Sequence, residues 1–204
     1  MVEFAANLIS QIGLIGAALL IAIEVIVLPI PSEMVLLLTG FNASLGEFSF
    51  MGAIAATTFG SLLGGLVLYL FGFGFSKERV ESIISKWGKY VGITNEDLDK
   101  TFDWFERYGT YLVFFGRLFP IIRSLVSIPA GLVRMSIFKF ALLTTAGSAI
   151  WNTIWISLGA LLGEQWERAN IWTTVIDYAV YLILGTAVAI LFFRLWRRRK
   201  YNHS

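Results

Sequence analysis

Arg117 and Arg123 stand on either side of Pro120 inside an otherwise apolar run, Phe114 to Gly131. An arginine at the centre of a bilayer costs about 2.5–3.5 kcal/mol on insertion scales, so each needs water, a carboxylate or an anion as partner. Earlier in the chain two acids, Glu24 and Glu33, flank Pro29 and Pro31 in a similarly apolar setting. Guanidinium forks match phosphate oxygens, and two of them can neutralise a dianion. Carboxylates in the same place can take up and release protons while competing with that anion for the arginines. Ser124, beside Arg123, adds a hydroxyl suited to phosphate contact or to capping a helix, as does Ser127. The four charged residues therefore read as one site, with Arg117, Arg123 and Ser124 binding phosphate and Glu24 and Glu33 coupling to protons.

Composition narrows the chemistry further. The chain has 204 residues, 57% hydrophobic and 15% charged, with no cysteine and a single histidine, His203. Ordinary soluble domains are about 25% charged. Together with a mean hydropathy of +0.74, this indicates one integral membrane domain. Thiolate sites, His-ligated metals and Ser-His-Asp hydrolysis are all without their residues, so neither metal nor cofactor is expected and the chain does not read as an enzyme. A net charge of +2 without a basic stripe argues against nucleic acid.

The elements must bring the arginines and acids together. Proline removes a backbone donor, and broken backbone at membrane depth survives only under cover of protein or lining a water-filled cavity. Residues 8–45 accordingly read as a re-entrant hairpin broken at Pro29 and Pro31 and closed by Gly40. Residues 8–28 alone would extend about 31 Å as a helix, enough to span instead. Residues 50–75 read as a spanning helix, with Gly60 and Gly64 as a close-packing motif. Residues 76–108 are mixed in charge and form a cytoplasmic amphipathic segment, in which Leu98, Phe102 and Phe105 share a face and Trp104 lies on another. Residues 111–133 make the second re-entrant hairpin, broken at Pro120 and closed by Gly131. Spanning helices follow at 137–162 and 171–195, then a basic tail at 196–204. Trp151 and Trp155 read as packing residues, and the other tryptophans largely as interface anchors.

Pro29 precedes Gly40 by the same interval at which Pro120 precedes Gly131, and a long helix containing a Gly-Ser pair follows each hairpin. The fold class expected is therefore all-α integral membrane, built from two repeats of a re-entrant hairpin plus a spanning helix, with an extra C-terminal spanning helix. Each unit crosses an odd number of times, so the second repeat is inverted. The cluster Arg194, Arg197, Arg198, Arg199 and Lys200 places the C-terminus in the cytoplasm, and the basic residues of 76–108 then fall on the same side. Under this topology the carboxylate hairpin enters from outside and the arginine hairpin from the cytoplasm, with tips meeting near the midplane.

At these residues the sequence resembles the DedA family of bacterial membrane proteins, related to eukaryotic VTT-domain lipid scramblases. One signature stands here as Arg117, Pro120, Arg123, Ala130 and Gly131, the other as Glu24, Pro29, Pro31, Ser32 and Glu33. The resemblance implies a multi-pass protein of the bacterial cytoplasmic membrane with two essential acids and two essential arginines. It also implies dependence on the proton-motive force and, in members with an assigned substrate, translocation of undecaprenyl phosphate for cell-envelope recycling.

The reading that follows is a flippase moving a lipid phosphate, with protons as the second partner. A proton-coupled small-cation antiporter, a lipid scramblase, and a scaffold in which the four charges merely bridge the hairpins remain alternatives. Oligomeric state is left open, a homodimer included.

Overall fold

The computed structural model describes residues 2–27, 31–91 and 94–162, and among them only helices and connecting turns occur, with no strand. In chain order these are α1 (Val2–Val27), α2 (Ser32–Ser44), α3 (Phe50–Phe73), α4 (Lys77–Val91), α5 (Asn95–Gly116), α6 (Pro120–Leu125), α7 (Ser127–Leu132) and α8 (Ile137–Leu162). Pro29, the expected span at 171–195 and the basic tail lie outside the described residues. Among the described residues two stretches are long and apolar enough to cross a membrane, Asn7–Ile26 and Phe50–Phe73. The first bends at Gly13, whose φ of 57° and ψ of −134° suit a residue without Cβ. α8 has the length of a span, 26 residues, but carries Thr144, Thr145, Asn152 and two tryptophans.

Local chemistry sets the helix ends. The Ser49 hydroxyl accepts from the Gly52 N–H at 3.0 Å and starts α3. Pro31 caps α2, and Pro120 occupies the first turn of α6, where its missing N–H is no loss. The amphipathic segment was expected to end at 108 and the second hairpin to begin at 111. Instead α5 runs unbroken from Asn95 to Gly116. Leu98, Phe105 and Val113 keep one buried face throughout, while Trp104 is exposed on another, so nothing stops the helix until the turn at 117–119. Lys77 of α4 joins Asp99 of α5 at 2.6 Å, and that hydrogen bond holds its ammonium above the ordinary lysine range.

The long helices α3 and α8 pack on each other. α1 lies on α3 and α5 on α8, whereas α2 reaches across to α8 and α7 across to α3. Both long helices turn small or polar residues inward, Thr57, Gly60, Ser61 and Gly64 from α3 and Thr144, Gly147, Ser148 and Asn152 from α8. Large apolar side chains such as Phe59, Leu63 and Val67 face outward on α3, as do Leu142, Ile150 and Ile154 on α8. Lipid gives such residues no reason to hide, so close backbone approach rather than apolar burial holds the helices together.

Gly40 and Gly131, expected to close hairpins, lie instead inside α2 and α7 at these approaches. A Cβ on Gly40 would fall on the Ile156 carbonyl of α8, and one on Gly159 of α8 on the Leu37 carbonyl of α2. Gly131 and Gly72 stand in the same relation across α7 and α3, facing the Tyr69 and Ile128 carbonyls. Gly131→Ala must therefore push two backbones apart, an overpacking of about 3 kcal/mol. Thermal unfolding in detergent should show a clear drop for it, and none for Gly74→Ala, where the added carbon meets nothing closer than 3.5 Å. Equal melting of the two variants would mean α7 is not clamped on α3.

Candidate functional site

Arg123 lies in the short helix α6 and is 2% exposed. Its Nη1 donates to Ser32 Oγ at 3.1 Å, at the start of α2, and its Nη2 donates to Glu24 Oε2 at 3.3 Å, near the end of α1. One guanidinium thus ties α6 to both α1 and α2. The ion pair uses a single oxygen at a distance longer than the roughly 2.7–2.9 Å of a strong charge-assisted bond.

Arg117, in the turn after α5, is 1% exposed and differently held. Its Nη2 donates to Ser127 Oγ of α7 at 2.9 Å and to Thr144 Oγ1 of α8 at 3.1 Å. The guanidinium carbon lies 5.5 Å from the centre of the Phe140 ring, and Gly65 of α3 leaves space that a side chain would take from Nη2. Neither neighbour is an acid. Nε and Nη1 of Arg117 have no hydrogen-bond partner, and neither do the buried Ser124 Oγ and Glu33 Oε1. Buried polar atoms are almost always paired, so these are the unusual donors and acceptors of the interior, together with the indole N–H groups of Trp151 and Trp155.

The structure brings the sequence-predicted residues together. Glu24 is within electrostatic reach of Arg123, Glu33 and Arg117. Charge sums to zero over the four, so protonating either acid leaves the site with one net positive charge. Ser127, read from the sequence as a hydroxyl for phosphate contact or helix capping, accepts from Arg117 and helps to orient it. Ser32 was quoted as part of a signature and given no role, yet it holds Arg123. Thr144 was missed altogether, and so was Asn152, whose amide lies within hydrogen-bonding distance of Thr58 and Ser61. A sequence signal for them exists: Thr57-Thr58-Phe59-Gly60-Ser61 in α3 and Thr144-Thr145-Ala146-Gly147-Ser148 in α8 are two copies of Thr-Thr-x-Gly-Ser, and Gly72 and Gly159 follow at the same interval.

The VTT domain family matches residues 30–161, most of the chain. The chain is a member of the VTT-domain (DedA) family. Among VTT-domain relatives, undecaprenyl phosphate transporter A of Bacillus subtilis (strain 168) is 34% identical over 194 residues, covering 93% of this chain and 91% of that protein. Undecaprenyl phosphate transporter A of Staphylococcus aureus (strain NCTC 8325 / PS 47) is 30% identical over 200 residues, 98% of each. An "alkaline phosphatase-like protein" of Lactococcus lactis subsp. lactis (strain IL1403) is 42% identical over 196 residues, 95% of this chain and 92% of that protein. No solved structure matches. The VTT-domain match takes in Glu33, both arginines, Ser124, Ser127 and Thr144, while Glu24 lies before it.

Proposed function

We propose that this protein carries a phosphate-bearing lipid across the membrane, undecaprenyl phosphate by the names of two relatives, and that proton uptake by its acids drives the exchange. The observation that carries the reading is Arg117: a fully buried guanidinium, fixed by two neutral hydroxyls, with two N–H groups that have no acceptor. Oxygens of a phosphate are acceptors of the right charge, and an arginine fork presents its donors without rearrangement.

In this mechanism Arg117 receives the phosphate first. Protonation of Glu24 releases Arg123, which turns from its 3.3 Å carboxylate contact to the same phosphate. Glu33, whose buried Oε1 has no partner among the described residues, is the second acid of this exchange. The headgroup crosses between the hairpins while the tail stays in lipid. The reciprocal packing, α2 on α8 and α7 on α3, supports two hairpins that enter from opposite faces and meet at the site, as inverted repeats do. It also supports a cytoplasmic C-terminus, by way of the basic residues that flank the arginine half.

Transport fits the hydroxyls better than hydrolysis. A serine nucleophile needs a base within hydrogen-bond reach, and Ser124 Oγ has no partner while Ser127 Oγ is taken by Arg117. The test is transbilayer movement of undecaprenyl phosphate in liposomes holding purified protein, with and without a pH gradient. Wild type should move it faster with the gradient, and Glu33→Gln should remove the response to the gradient. Movement no faster than in protein-free liposomes would remove this substrate.

A further inference from the structure

We infer that the exposed groove along α5 holds the tail of the transported lipid and selects an isoprenoid chain over ordinary acyl chains; this rests on the lipid-phosphate reading above. Trp104, Tyr108, Tyr111 and Phe115 follow one another at helical spacing on the outer face of α5, and Phe119 and Ile122 continue the wall past the helix end. Together they line a cavity of about 470 Å³, within the size range of small-molecule sites. The opposite face of α5 is spent on the core, where Phe105 and Val113 pack with Tyr69 and Phe140. Among the described residues the outer aromatics touch mainly their own neighbours on α5, Trp104 against Tyr108 and Phe115 against Phe114, and stay largely exposed.

Position separates this groove from two other apolar hollows among the described residues. One lies between α1 and α3, lined by Leu14, Ala18 and Leu63 among others, and one on the outer face of α3 and α8, with Ile54, Leu62 and Ala149. Neither touches the arginine turn. The α5 groove does, because Gly116 precedes Arg117, Phe119 precedes Pro120 and Ile122 precedes Arg123. One short turn therefore has arginines on its buried side and groove wall on its exposed side. A lipid whose phosphate reaches Arg117 must lead its tail out past this turn, and the groove is what it meets there.

The groove can hold a segment of such a tail. From Trp104 to Gly116 α5 rises about 18 Å, slightly more than half of a hydrocarbon core about 30 Å thick. A tail lying along it would run through one leaflet. Because lipid is as apolar as the groove, moving a tail from one to the other gains nothing by transfer from water. Shape and contact decide instead, so the groove discriminates between tails more than it adds affinity. Flat aromatic faces suit the planar double bonds and methyl branches of a polyprenyl chain better than two saturated acyl chains.

The test measures capture of undecaprenyl phosphate and of phosphatidic acid by the full chain in nanodiscs, for wild type, Phe115→Ala/Phe119→Ala and Arg117→Ala. Both phenylalanines are more than half exposed, so the double variant should fold. It should lose about tenfold in capture of undecaprenyl phosphate and keep that of phosphatidic acid, while Arg117→Ala loses both. Unchanged undecaprenyl phosphate capture by the double variant, with Arg117→Ala inactive, overturns the groove and leaves the phosphate site standing. Capture that ignores Arg117 overturns both. The chain has no cysteine, so Tyr111→Cys supplies a single thiol; disulfide joining of two copies at that position in lipid would assign the groove to a second protomer and overturn the proposal.

Discussion

Exchanging the charges of the Glu24–Arg123 pair, as Glu24→Arg with Arg123→Glu, should restore folding and leave transport at the level of protein-free liposomes. Either substitution alone strands a buried charge. Breaking a buried pair by removing one partner costs about 3–5 kcal/mol, and each single reversal adds like charges to that. Both single variants should therefore express poorly or melt early. The double variant rebuilds one attraction between α1 and α6, across the contact that is 3.3 Å in the native pair, so much of the lost stability returns. What it cannot rebuild is the phosphate site. The new carboxylate on α6 lies within electrostatic reach of Arg117, as the charges of this site do now, and offers it an internal acceptor. The anion then has an occupied arginine and a nearby negative charge to overcome. Melting temperature in detergent and lipid movement in liposomes read the two effects separately. Recovery of transport along with folding would make the pair a brace between α1 and α6 and remove it from the handling of the anion.

How far the sequence carried this site follows from what kind of signal each residue leaves. Arg117, Arg123, Glu24 and Glu33 were legible because a charge in an apolar run is costly wherever the chain goes. Pro31 and Pro120 were legible as breaks because the absent N–H acts locally. Gly40 and Gly131 were found but misread: a glycine looks the same whether it ends a helix or lets another backbone approach, and only the Ile156 and Tyr69 carbonyls opposite them decide. The boundary inside α5 was misplaced because charge pattern changes near residue 108 while the buried face does not. Thr144, Ser127 and Ser32 carry no charge and sit among other hydroxyls, so their part in holding guanidinium groups is a property of packing between segments far apart in the chain. The paired Thr-Thr-x-Gly-Ser motifs gave the best available hint. They also show why the two halves differ: Thr144 accepts from Arg117, whereas its counterpart Thr57 donates only to the Ala53 and Ile54 carbonyls of its own helix.

Arg117→Lys should abolish transport about as completely as Arg117→Ala, a loss on the order of 100-fold or more, although it keeps a basic residue. Arginine stays charged when buried, while a lysine in a dry site readily gives up its proton. Lysine also lacks the fork. The present guanidinium uses Nη2 on both Ser127 and Thr144 and still has Nε and Nη1 to offer. An ammonium bound to the same two hydroxyls has one donor left and no fixed direction for it. Hydrogen bonds to charged groups contribute about 1.5–3 kcal/mol each, and every 1.4 kcal/mol is tenfold, so losing one or two donors together with part of the charge accounts for the loss. Thr144→Val separates orientation from charge. It removes one of the two hydroxyls and leaves the guanidinium intact, so transport should fall about tenfold while the response to a pH gradient, which belongs to the acids, persists. Lipid movement in liposomes, with circular dichroism to show that both variants are folded, decides between the terms. If the lysine variant moves lipid at the wild-type rate, Arg117 acts as a bare charge and the donor geometry at Ser127 and Thr144 has no part in transport.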